Sequence, residues 1–273
     1  MRGTLRSVAA AGAFALIGLP LHAQQRQTDA SFKWSGRVAA GRTLHIDNVN
    51  GSIYVGAASG DNVEVTATKQ WRRGDPSLVR ILTSASGDGG MTVCALWDDR
   101  NSCEDRPTPR RYRDGNSPNG RENRNNDVSV EFRVLLPRGV KLAAGTVNGS
   151  VTVDGATTDV SAETVNGDLD LTNVGGRLNA QTVNGAIRAR LTRIESEGAM
   201  QFETVNGNIM LELPQDFGGD LDLESVMGSL NSSFEMTLRG RMDPHHLRTH
   251  IGKPGGPRIH VETVHGTVDI RKR

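Results

Sequence analysis

One four-residue phrase, Thr146-Val147-Asn148-Gly149, is written again at 164–167, 182–185 and 204–207. Looser copies are Asn48-Val49-Asn50-Gly51, Ser225-Val226-Met227-Gly228 and Thr263-Val264-His265-Gly266. Self-similarity at a nearly fixed period means one structural unit stacked on itself. Gly149, Gly167 and Gly185 stand 18 residues apart, and the next intervals are 22 and 21. A unit of that length holds two strands and two corners.

Counting from each glycine as zero exposes the rest of the unit. Position −7 holds Leu44, Leu142, Val160, Leu178, Met200, Leu221 and Ile259, and position −5 holds Ile46, Ala144, Ala162, Ala180, Phe202, Leu223 and Val261. Position +2 holds Ile53, Val151, Leu169, Ile187, Ile209, Leu230 and Val268. Apolar residues at every second position mark half-buried strands, so each copy is two strands meeting at the Asn-Gly corner. Asn and Gly suit such a corner because both tolerate positive φ. Val147, Val165, Val183 and Val205 break the alternation at −2, which predicts that the chain turns inward there and buries them. Glu163 and Glu203, at −4, are predicted to face outward.

The predicted fold is all-β, a solenoid or β-helix-like array of coils of 18–22 residues with a non-repeating N-terminal β cap. Two packed antiparallel sheets are the alternative, because hairpins at every Asn-Gly corner give the same periodicity. A low aromatic content (4 %) beside 32 glycines agrees with strands and turns.

Residues 1–23 read as a signal peptide. Arg2 and Arg6 form a positive start, an apolar run follows over 8–21, and Leu21-His22-Ala23 offers a small residue for cleavage. The expected product is exported, periplasmic or extracellular, and carries no transmembrane anchor, since no later run reaches the ~20 apolar residues a membrane helix needs. Removing two arginines from 32 Lys+Arg against 31 Asp+Glu leaves 30 − 31 = −1, a balance that argues against a nucleic-acid partner.

The remaining chain divides into a β cap at 24–97, a polar segment at 98–127 and the repeat array at 128–273, interrupted by an insertion at 233–258. In the cap, strands are expected to pair by hairpins and to cover the open end of the array. The polar segment mixes prolines, arginines and acids, and reads as a mobile solvated loop. Cys94 and Cys103 are nine residues apart. In an oxidising compartment they are expected to form a disulfide.

The chain resembles the bacterial putative-adhesin family of unknown function, which is built from β-strand repeats. The resemblance rests on Phe32-x-Trp34, on Gly41-x-x-Leu44-x-Ile46-x-Asn48-Val49-Asn50-Gly51, on the T-V-N-G copies, and on Leu213-Pro214 ahead of Phe217-Gly218-Gly219. It implies adhesion, and it brings no active-site residues with it.

Candidate chemistry is sparse. His246 and His250 would share one face of a helix, as metal ligands can. Pro244 and Gly252 disfavour that helix, so no metal or cofactor is assigned and the histidines read as part of a solvated loop. Glu163, Gln181 and Glu203 share the −4 position and form a possible binding face. A polysaccharide-active β-helix enzyme is the rival reading, since such enzymes carry acid pairs on one face. No nucleophile, zinc-protease or phosphate-loop motif is present in the sequence. The function read here is a non-enzymatic envelope or surface interaction module whose partner is an unknown envelope glycan or protein.

Overall fold

The structure, a computed structural model, describes residues 27–97, 103, 126–192, 194, 198–235, 245–252 and 256–273. The export segment and nearly all of the polar segment at 98–127 lie outside the described residues.

The first strands are β1 (Gln27–Gly36), β2 (Thr43–Asp47), β3 (Ile53–Ala57), β4 (Val63–Trp71), β5 (Arg80–Ala85), β6 (Met91–Leu96) and β7 (Ser129–Leu136). The central coils supply β8 (Lys141–Gly145), β9 (Val151–Asp154), β10 (Val160–Glu163), β11 (Leu169–Val174), β12 (Leu178–Asn184) and β13 (Ile187–Leu191). Then follow β14 (Ala199–Asn206), β15 (Ile209–Leu213), β16 (Gly219–Met227), β17 (Leu230–Ser232), β18 (His246–Ile251), β19 (Arg258–His265) and β20 (Val268–Lys272). Among the described residues the only helical element is a 3-10 turn at Pro76–Leu78.

Two ten-stranded sheets result. The first runs β1-β4-β7-β3-β9-β11-β13-β15-β20-β17 and the second β18-β16-β19-β14-β12-β10-β8-β2-β6-β5. Each T-V-N-G copy carries the chain from the second sheet to the first, and neighbouring coils pair in parallel, in register, from β2 and β3 onward. This is a two-sided solenoid. The paired-antiparallel-sheet alternative fails, because antiparallel pairing is confined to β1–β4, β4–β7, β5–β6 and β16–β18 at the two ends.

The core is the apolar alternation itself. Leu44, Ile46, Leu178, Ala180, Met200 and Phe202 from the second sheet, and Ile53, Leu169, Leu171, Ile187 and Ile209 from the first, are all buried. The alternation continues one step further than expected. It is Thr146, Thr164, Thr182, Thr204 and Thr263, at −3, that are buried, whereas Val165, Val183 and Val205 are half-exposed and only Val147 is buried. The inward turn expected at the valines does not occur, because the strand's period of two persists up to the corner.

A buried hydroxyl needs a partner, and the stack supplies it. Thr146 Oγ1 donates to the Gly51 carbonyl (3.0 Å), Thr164 to Gly149 (2.9 Å), Thr182 to Gly167 (3.1 Å), Thr204 to Gly185 (3.0 Å) and Thr263 to Gly207 (2.9 Å). Outside this row the asparagines form their own ladder. Asn148 Nδ2 donates to Asn50 Oδ1, Asn166 to Asn148, Asn184 to Asn166 and Asn206 to Asn184, at 2.8–2.9 Å.

At Gly167, Gly185 and Gly207 it is closeness rather than φ that requires glycine. A Cβ on Gly167 would lie 2.0 Å from the Gly149 carbonyl oxygen, and one on Gly185 or Gly207 would lie 1.9 Å from the oxygen of the preceding glycine. Among the described residues, Asn173 is the only non-glycine at positive φ. The corner asparagines are chosen for their ladder.

Chain order and stacking order differ at both ends. β19 and β20, the last coil, sit between β14/β15 and β16/β17. At the other end β2 and β3, the first complete coil, lie inside β6 and β7. β6 and β7 together make a further layer, one on each sheet. The expected N-terminal cap is therefore partly array: β2, β3 and β6 are layers in parallel register. The true caps are β1, β4 and β5.

Cys94, in β6, is disulfide-bonded to Cys103. The pair forms a small buried cluster with Leu96, against which Leu82 packs.

Candidate functional site

On the outer face of the second sheet, residues at one offset form columns perpendicular to the strands. The −4 column runs Asp47, Gly145, Glu163, Gln181, Glu203, Glu262, Glu224, each directly opposite the next. Glu163, Gln181 and Glu203 are thus brought together as consecutive rungs. All three are half-buried rather than fully exposed, because side chains of neighbouring strands cover one another at ~4.8 Å spacing.

The −6 column beside it reads Asn179, Gln201, His260, Asp222 and, on β18, Arg248. One register step further lie Arg258, Asp220 and His250. Acids and histidines therefore concentrate where β14, β19, β16 and β18 adjoin.

His246 and His250 do not form a metal pair. The segment expected as a solvated loop is strand β18, antiparallel to β16. Four residues of strand place the two rings ~13 Å apart along one face, too far for a common ion. Each instead meets its own acid: His246 Nε2 lies 2.7 Å from Asp222 Oδ1, and His250 Nδ1 lies 2.8 Å from Asp220 Oδ1. Arg248 Nε donates to the same Asp222 oxygen at 3.1 Å. Burial pulls Asp222 upward, but the hydrogen bonds from His246 and Arg248 outweigh it and hold the carboxyl below its usual range. Asp222 is an ionised anchor at the centre of the cluster.

His260 and Glu262 come together in a way the sequence alone does not show, although Glu262 shares the outward −4 position with Glu163 and Glu203. His260 Nδ1 lies 3.7 Å from Asp222 Oδ2 and its Nε2 lies 3.5 Å from Glu262 Oε2. Glu203, His260 and Glu262 each bring one donor atom within 4.8 Å of the others. Offsets −6 and −4 in the sequence identify these residues as outward-facing. Their adjacency to Glu203 and Asp222 could not be read, because it depends on the last coil entering between two earlier ones.

The outer face of the first sheet is tied together in the same way. Its charges are cross-linked between coils, with Arg188 held by Asp168 (3.2 Å) and Asp170 (3.4 Å), and Arg190 paired with Glu212. Arg271 lies against Asp269 on the same strand.

The fold and its laddered faces define a two-sided parallel β-solenoid of repeated coils. A family model described as Toastrack DUF4097 matches residues 21–271, and the chain belongs to that family. The resemblance to a putative-adhesin family carried by the T-V-N-G copies agrees with this. A crystal structure of a putative cell adhesion protein from Clostridium sporogenes is similar over 91 % of this chain and 99 % of that one, at 10 % identity and a TM-score of 0.43. A putative adhesin from Bacteroides fragilis is similar over 92 % and 99 %, at 10 % identity and a TM-score of 0.28. No curated protein matches the chain. Among the described residues, no helix is long and apolar enough to cross a membrane.

Proposed function

We propose that the protein is a non-enzymatic interaction module of the cell envelope, exported to the periplasm or the exterior. It meets an envelope glycan or protein across the outer face of the second sheet. One observation carries this reading: Glu163, Gln181 and Glu203 occupy the same position on three consecutive strands of one sheet. A row of equivalent polar groups at ~4.8 Å steps favours an extended partner met by many shallow contacts. Turnover asks for something else, a local constellation of acid, base and stabiliser around one reacting atom. The N-terminal arginines and apolar run at 8–21 support export.

The test is capture from an envelope extract together with a glycan-array screen, using Glu163→Ala and Gln181→Ala. Each single substitution is expected to weaken binding modestly, and the double substitution more than either. Cleavage of a cell-wall or capsular polysaccharide, abolished by one of these changes, would replace this reading with the enzymatic one.

A further inference from the structure

We propose that Glu203, His260 and Glu262 form a binding site for a divalent transition-metal ion of the Zn2+ class. Three observations converge on it. Glu203, Glu262 and Glu224 stand directly opposite one another on the adjacent parallel strands β14, β19 and β16. Like charges in directly opposed positions destabilise a sheet, and a bound cation converts that repulsion into ligation. The donor set is mixed, one imidazole with two carboxylates, which suits Zn2+ better than the all-oxygen shells of Ca2+ or Mg2+.

The histidine is also placed as a ligand. Asp222 stands on the Nδ1 side of His260 at 3.7 Å, while Nε2 faces Glu262 at 3.5 Å. The order is carboxylate, imidazole, metal, and Asp222 would orient the coordinating nitrogen once it closes from 3.7 Å to hydrogen-bond distance of Nδ1. Ligands ~2.1 Å from a tetrahedral ion are ~3.4 Å from one another, so the His260–Glu262 separation already fits. The widest spacing in the trio is at most 4.8 Å, and closing it requires Glu203, whose Oε1 accepts from Gln201 Nε2, to turn toward His260. Three protein ligands leave at least one position open to water or to a partner's oxygen. The site exists only because the last coil lies between β14 and β16. It adjoins the recognition row at Glu203, which lies directly opposite Gln181, and metal titration reads it separately from partner capture.

Calorimetric titration of the full-length chain with ZnCl2 and with CaCl2 tests it. Expected are one Zn2+ per chain, Ca2+ binding much weaker, and Zn2+ affinity reduced at least about tenfold in His260→Ala and in Glu262→Gln. His250→Ala, on the same face but outside the trio, is expected to keep parental affinity, and circular dichroism without metal checks that each variant is folded. Absence of Zn2+ binding by the parent chain overturns the proposal. So does Ca2+ binding as tight as Zn2+, or Zn2+ affinity unchanged in both His260→Ala and Glu262→Gln. Should His260→Ala fail to fold, Glu262→Gln decides alone.

Discussion

At Gly167 the whole repeat is compressed into one contact. Its Cα passes so close to the Gly149 carbonyl that a methyl group would lie 2.0 Å from the oxygen, while Thr164 hydrogen-bonds the same oxygen from the side. Gly167→Ala must therefore push two coils apart or bend the corner. Overpacking of this kind costs about 2–3 kcal/mol, expected as a lowered denaturant midpoint with an unchanged slope. Val165→Asp, at a half-exposed position, is expected to cost less, the reverse of what burial of the valine would give. An unchanged midpoint in Gly167→Ala would mean that the corners do not stack this closely. Thr was legible as a ladder residue from its recurrence alone. Its burial was not, because a valine two residues before a corner looks like the better core residue until hydrogen bonding is counted. The stack offers the Thr hydroxyl a carbonyl, and that decides which of the two faces inward.

Between coils, the outer columns act as electrostatic seams. Asp159, just ahead of β10, lies 3.1 Å from Lys141 Nζ of the coil on one side and 2.9 Å from Arg177 Nη2 of the coil on the other. The hydrogen bond from Arg177 is the largest influence. It outweighs burial and, with Lys141, holds the carboxyl down to about 2. A depressed carboxyl stabilises the fold above its unfolded value near ~3.9 and loses that contribution as pH falls through its folded value. Stability should therefore decline between about pH 4 and pH 2, and Asp159→Asn should flatten that part of the profile. Thermal midpoints taken across this range check it. A profile of Asp159→Asn as steep as the parent's would place the acid sensitivity elsewhere. At this scale the strands of the regular coils were legible, since every −7, −5 and +2 residue points where its offset says. β18 was not. Pro244 and the histidines suggested a loop, yet β16 sits at the edge of the array and needs a partner for its open side.

Seen as a whole, the solenoid is not wound in the order in which it is written. Every copy carries the same offsets, so nothing within a copy says which coil it stacks on, and neighbours in sequence are the natural guess. One hint was available. Ser225-Val226-Met227-Gly228 is the most degraded corner, and its coil ends in β17, of three residues; a short, weak strand belongs at an edge. Thr263, Val268 and Ile270 are buried and suit an interior layer. The same inversion at the N-terminal end hid the place of β6 and β7 as one layer, because no T-V-N-G copy joins them in the sequence. The functional face depends on this order, because stacking by sequence would set Glu203 beside Glu224 and leave His260 and Glu262 on the outermost coil.

Paired cysteine substitutions test that order directly. Asn206 and His265 are register partners on adjacent strands, both exposed, with the ~4.8 Å spacing that lets a disulfide close. Met227 lies one layer further, ~9.6 Å from Asn206 and beyond that reach. Mass spectrometry of the oxidised, non-reduced protein is expected to show a linked peptide in Asn206→Cys/His265→Cys and none in Asn206→Cys/Met227→Cys. A cross-link in the second pair and not the first would mean that the coils stack in sequence order, and the insertion of the last coil would be wrong.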